Sequence, residues 1–420
     1  MSSISSGMPI VSTWPGDASY YVALNDSTNE VEESMQQESL LTNESAVDNK
    51  APPEITSTET SNTEQKSDSV IAPIEKASSV GSVTRGRRKV SILSVDCGGV
   101  RGIIPTILLN EIEHRTHTAS ANLFDLMAGS STGGLITTGL NIPLIDRQPR
   151  FTARNMMALF EYESPEIFSC SNWHTMTSLF YTMRPKYSPL GMDNVLNRYL
   201  GDTLVQDSIT DLYIPTYDIT TPSTYFFSRH KCRTNPALAS IKMKDIVRCT
   251  TAAPTYFPPK EMIIEDKFHA MVDGGTFLYN PSLSAYNEAM ERYPNAEDYL
   301  VCSLGTGYVP FSYSPAQSQK GGYFWWADKF LYSVFHGISH IAHEQMTQIT
   351  SRNNSPYYYF QTTLEYEHCS LDDTSRGNIT YLKEKGFEIV EERSDEIREL
   401  CMQLEANKNH NEQLEDSYKL

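Results

Sequence analysis

Hydrophobic and polar positions divide the chain of 420 residues into two unlike parts. Residues 1–87 are dominated by Ser, Thr, Asn and Glu, with almost no apolar periodicity after Leu41. Such a segment cannot bury enough surface to offset the entropy of ordering it, so a disordered N-terminal arm is expected there. From about Arg88 onward, short apolar runs alternate with apolar residues at helical spacing. Residues 90–95, apolar except for Ser91 and Ser94, read as a strand buried in a parallel sheet, and 103–117 as the helix that follows it. Residues 123–128, apolar except for Asp125, predict a second strand leading into a second helix. Later strands are predicted over 214–219, 224–228, 299–304 and 357–363, and helices over 151–160, 192–200, 244–249, 281–292 and 324–351. This alternation predicts an α/β fold, a mostly parallel sheet sandwiched by helices, occupying residues 88–400. Residues 378–404 read as charged and mostly helical, and 401–420 as a charged C-terminal tail.

Two strand-to-helix junctions carry candidate chemistry. The first is Asp96-Cys97-Gly98-Gly99-Val100-Arg101-Gly102. Its glycines let the backbone approach a ligand, and its N–H groups lie at the positive end of a helix. That suits either a phosphate or the oxyanion of an acyl-transfer intermediate, and the loop alone does not choose. The second is Gly129-Ser130-Ser131-Thr132-Gly133, a G-x-S-x-G pattern. A tight strand-to-helix turn exposes a serine hydroxyl only where the residues two positions either side are small, which makes Ser131 the candidate nucleophile. Ser130 has Ala128 and Thr132 at those positions instead. Far downstream, Asp273-Gly274-Gly275 is a weak signal alone and a stronger one beside the other two. Between them, Pro165, Pro185 and Pro189 break up a stretch containing Phe168, Trp173, Phe180, Tyr181 and Tyr187, which reads as cover for the sheet edge or a cap over an acyl site.

These three motifs resemble the patatin-like phospholipase family, and the resemblance extends over roughly residues 88–400. It implies a phospholipid acyl hydrolase of the phospholipase A type, working through an acyl-enzyme. By position it makes Ser131 the nucleophile and Asp273 its base, a dyad without histidine. Gly98, Gly99 and Val100 then supply oxyanion N–H groups, with Arg101 adding positive charge. The family's loop usually reads D-G-G-G-x-R-G, so Cys97 is a departure, costing on the order of 1 kcal/mol if that position needs positive φ. A neutral-lipid lipase or acyltransferase would use the same acyl-enzyme, and a catalytically inactive binding module is the alternative of a different class. A Ser-His-Asp triad completed by His336, His340 or His343 is the rival mechanism. Those histidines share one predicted helix face, where a packed cluster is favoured over a metal site because no carboxylate motif completes one.

Composition narrows the partners. With 34 Lys and Arg against 52 Asp and Glu the net charge is −18, which argues against nucleic acid as the main partner. A phospholipid membrane surface is the expected substrate, and an activator protein an open partner. The seven cysteines lack C-x-x-C spacing and read as reduced thiols, with no metal or other cofactor expected. No N-terminal signal pattern and no apolar run near 20 residues is present, so a cytoplasmic protein is expected. An effector secreted by an intracellular bacterium into a host cell would fit the same features.

Overall fold

The computed structural model describes residues 86–169, 184–310 and 314–417. The expected arm, apart from Gly86 and Arg87, lies outside the described residues, as do Trp173, Phe180 and Tyr181. Short helical turns aside, the chain runs β1 (Lys89–Val95), α1 (Ile103–Thr116), β2 (Leu126–Gly129), α2 (Thr132–Leu140), α3 (Ala153–Tyr162) and α4 (Leu190–Leu200). It continues through β3 (Asp211–Asp218), β4 (Ser223–Ser228), α5 (Met243–Thr250), β5 (Lys260–Ile264), β6 (Lys267–Asp273), α6 (Ser282–Arg292) and β7 (Asp298–Leu304). The remainder is α7 (Tyr323–Asn353), β8 (Tyr357–Phe360), α8 (Arg376–Glu392) and α9 (Ser394–Ser417).

The strands form one sheet in the order β5-β6-β3-β2-β1-β7-β8, with β4 also paired to β3. Its middle is parallel: β1 pairs with β2 and β7, β2 with β3, and β7 with β8. The far side is antiparallel, where β3 meets β4 and β6 and β5 meets β6. Period-two alternation sorts the strand residues between two cores. Val90, Ile92, Leu126, Ala128 and Val301 face Ala285, Tyr286 and Ala289 of α6 and Met346 of α7. Leu93, Val95, Met127, Cys302 and Leu304 face the larger core built with α1, α2, α8 and α9. A sheet covered on both faces explains why its central strands are almost continuously apolar.

Two features depart from the sequence reading. The hairpin β5–β6 is not among the strands the sequence predicts; its turn is Glu265-Asp266, both at positive φ (52° and 59°), without the glycine or asparagine that usually marks such a turn. Residues expected to begin a charged tail at 401 instead lie inside α9, where Cys401 and Leu404 are buried. The Asn411 side chain accepts from the Lys89 N–H (3.0 Å) and donates to the Lys89 carbonyl (2.8 Å), and Glu415 pairs with Arg88 at 3.1 Å. The tail's charge faces water while its apolar stripe packs on the domain. No helix among the described residues is long and apolar enough to cross a membrane.

Candidate active site

The sheet changes direction of growth at β1, which has β2 on one side and β7 on the other. A crevice beyond the C-terminal ends of such strands is where open α/β sheets hold ligands. The glycine loop leaves β1 there and Ser131 follows β2. Asp273 is the last residue of β6.

Ser131 has φ 53° and ψ −116°, a strained conformation for a residue with a Cβ. The flanking glycines make the turn sterically feasible: a Cβ at Gly129 would collide with the Gly133 carbonyl, and one at Gly133 with the Val95 carbonyl. The turn is pinned from beneath by Thr250, whose hydroxyl accepts from the Ser131 N–H (3.0 Å) and donates to the Pro215 carbonyl (2.7 Å). Thr250 carries no sequence signal; it is one buried threonine at the end of α5.

Ser131 Oγ donates to Asp273 Oδ2 at 2.6 Å, and the Gly275 N–H donates to Oδ1 at 2.7 Å. Both side chains are buried. Burial pushes the Asp273 carboxyl up to about 7, against the opposing pull of the bonds from Ser131 and Gly275. An acid that titrates near neutrality can take up and return a proton at modest cost.

The glycine loop divides its N–H groups. Val100 donates to the Leu371 carbonyl at 2.8 Å and Arg101 to the Gly98 carbonyl at 3.2 Å. Val100, expected as an oxyanion donor, is thus committed to holding the loop. The N–H groups of Gly98 and Gly99 have no acceptor among the described residues. The loop's positive φ falls on Gly99 (58°), not on Cys97, so the strain expected of a cysteine at that position does not arise. Gly99 has no room for a side chain, since a Cβ there would strike the Leu371 carbonyl. The Cys97 side chain lies beside Gly275 and lines the same cavity as Ser131 and Asp273. Burial pushes its thiol well up, which keeps it protonated.

Arg101 does not face Ser131. Its Nε donates to the Gly98 carbonyl (3.3 Å) and its Nη2 to the Tyr279 hydroxyl (2.6 Å), and it lines a second cavity together with His336, His340 and His343. No histidine lines the Ser131 cavity among the described residues, so a triad has no imidazole within it. Among the described residues no group of three or more His, Cys, Asp or Glu could hold a metal ion.

The Ser131 cavity, about 200 Å³, is lined by apolar side chains that include Phe160, Phe168, Met192, Phe257, Phe330 and Leu331. Of these, Phe330 and Leu331 are also exposed, with Trp326 one turn earlier on α7. Of the predicted aromatic stretch, Phe168 and Tyr187 pack with Phe257 at ring separations of 5.5 to 6.0 Å.

Residues 93–286, which span all three motifs, match the family description "Patatin-like phospholipase". Patatin-like protein 4 of Arabidopsis thaliana is 29% identical over 335 residues, covering 72% of this chain and 83% of that protein. Patatin-like protein 2 of Oryza sativa subsp. indica is 34% identical over 232 residues, covering 52% of this chain and 56% of its own length. A crystal structure of VipD from Legionella pneumophila aligns over 73% of this chain and 67% of that one, at 11% identity and a TM-score of 0.38, too remote to bear on the chemistry. The chain thus carries a patatin-like phospholipase domain over residues 93–286, with a plant relative alike over as much as 72% of its length.

Proposed function

We propose that the protein is a phospholipid acyl hydrolase of the phospholipase A type, with Ser131 as nucleophile and Asp273 as its base. The observation that carries this reading is the 2.6 Å hydrogen bond from Ser131 Oγ to Asp273 at the floor of an apolar cavity. As Oγ attacks the ester carbonyl, its proton passes to Asp273 Oδ2. The oxyanion of the tetrahedral intermediate is met by the N–H groups of Gly98 and Gly99, at the positive end of the helical turn leading into α1. Collapse expels the alcohol, which takes the proton back from Asp273, and leaves the acyl group on Ser131. Water then repeats the sequence, with Asp273 again accepting a proton.

The apolar lining suits an acyl chain, and the exposed Trp326, Phe330 and Leu331 beside the opening suit contact with a lipid surface. A neutral-lipid lipase or an acyltransferase would differ only in what enters or accepts the acyl group. The test is product analysis by mass spectrometry after mixing the protein with phosphatidylcholine vesicles, with and without cell extract to supply an activator. Release of fatty acid and lysophospholipid by the wild-type chain and none by Ser131→Ala is expected. Equal release by both would overturn the assignment of Ser131, and no release under either condition would favour the inactive binding module.

A further inference from the structure

The second cavity, about 330 Å³, lies across the glycine loop from Ser131 and shares Phe335 with the acyl cavity. Its charge is at odds with the rest of the molecule. In a chain of net charge −18, the described residues lining it include Arg101, Arg393, His336, His340 and His343 and not one carboxylate.

Arg101 is 3% exposed, and its side-chain partners are neutral: the Gly98 carbonyl and the Tyr279 hydroxyl. No carboxylate pairs with it among the described residues. A buried guanidinium without a counter-charge is costly unless something anionic meets it. Behind the wall Asp96 is fully buried, with one oxygen accepting from the Ser339 hydroxyl at 3.4 Å and the other without a hydrogen-bond partner among the described residues. Burial pushes that carboxyl well up, against the opposing pull of the Ser339 hydroxyl and of Arg101. At the rim, Arg393 is paired with Glu396 (Nε to Oε1 2.7 Å) and His340 lies 3.9 Å from Glu344.

We propose that this cavity binds a phosphoryl anion, separately from the acyl site. The donors favour a tetrahedral anion with several oxygens over a carboxylate with two. A guanidinium fork, imidazole N–H groups and the hydroxyls of Tyr308, Tyr332 and Tyr359 surround one space. Burial holds His336 and His343 below the usual imidazole range, and a neutral imidazole still offers one N–H. The volume leaves room for a larger group carrying the anion, either a soluble phosphomonoester or a lipid headgroup.

Binding is measured by isothermal titration with inorganic phosphate and glycerol 3-phosphate, and by flotation with vesicles of phosphatidic acid or of phosphatidylcholine. Arg101 anchors the loop, so the variants are His336→Glu and His340→Glu, both at exposed positions, which place a carboxylate in the acid-free space. Saturable binding by the wild-type chain, weakened roughly tenfold or more in either variant and unchanged in Ser131→Ala, is the expected result. Capture by phosphatidic acid vesicles that glycerol 3-phosphate displaces identifies a headgroup, and binding to the soluble probes alone identifies a phosphomonoester. Absence of saturable binding to every probe overturns the proposal, as does equal affinity in the glutamate variants, or loss of binding in Ser131→Ala alone. None of these readouts requires hydrolysis, so failure of the hydrolase reading leaves the test intact.

Discussion

Ser131 and Asp273, 142 residues apart in sequence, are joined by a single hydrogen bond of 2.6 Å with no imidazole between them. In the proposed dyad the base is a carboxyl, and burial pushes it up from the ordinary acid range to about 7. Turnover of a soluble ester is expected to rise with pH as Asp273 ionises, about tenfold per unit below 7, and to level off above it. Asp273→Asn keeps the shape and removes the base, so activity falls nearly as far as in Ser131→Ala, by roughly three or more orders of magnitude. Full activity in Asp273→Asn, measured as kcat/KM across pH 5 to 9, rules out the dyad.

The same shift bears on stability. The folded pKa of about 7 lies above the ordinary 3.8, so between those values the folded state holds more protons than the unfolded one. Asp273's contribution is most favourable below 3.8 and is lost as pH rises through 7. Asp273→Asn lacks this loss. Its stability relative to wild type, read from Tm, is expected to rise between pH 4 and pH 8 by at most roughly 4 kcal/mol. A difference in Tm that does not change with pH counts against a raised carboxyl.

Strain at the proposed nucleophile can be isolated by comparing two variants. Ser131→Ala and Ser131→Gly both lose the hydroxyl, but only glycine adopts φ 53° and ψ −116° without penalty. Ser131→Gly is expected to be about 1 to 3 kcal/mol more stable than Ser131→Ala in denaturant unfolding. Equal stability would mean that the elbow stores no strain.

Thr250 is a positioning residue. Thr250→Val keeps its volume but leaves the Ser131 N–H and the Pro215 carbonyl without their partner. The cost is about 1 to 3 kcal/mol of stability, with a fall in kcat of roughly tenfold as the elbow loosens. Thr250→Ser restores both, which a purely packing role would not produce.

The parts of the site read from the sequence are those whose geometry restricts residue type locally. Gly129 and Gly133 are dictated by carbonyls a few ångströms away, and the alternating cores of β1, β2 and β7 by a sheet buried on both faces. What escaped is set by distant chain. Leu371 decides which loop N–H groups stay free, and nothing around residue 371 announces a carbonyl aimed at Val100. Arg101 follows the loop's glycines in sequence, yet its side chain turns to Tyr279 on the other side. The β5–β6 hairpin is short, half exposed and closed by two acidic residues, so neither periodicity nor turn chemistry marks it. The glutamates of α9 masked the buried Leu400, Cys401 and Leu404 that seat it.

Asn411 gives the Lys89 backbone the two hydrogen bonds that a neighbouring strand would provide, at a point where β2 has not yet begun to pair, since that ladder starts at Ile92. The consequence lies in the order of synthesis. β1 and β2 leave the ribosome early, but β7, on the other edge of β1, comes some 200 residues later, and Asn411 follows Lys89 by 322. For most of translation the central strand of the sheet has an open edge, the condition under which nascent chains pair wrongly or aggregate. The domain is thus one that a holding chaperone should bind while β1 waits for its partners. A nascent chain stalled before residue 411 should remain protease-sensitive around residues 86–95.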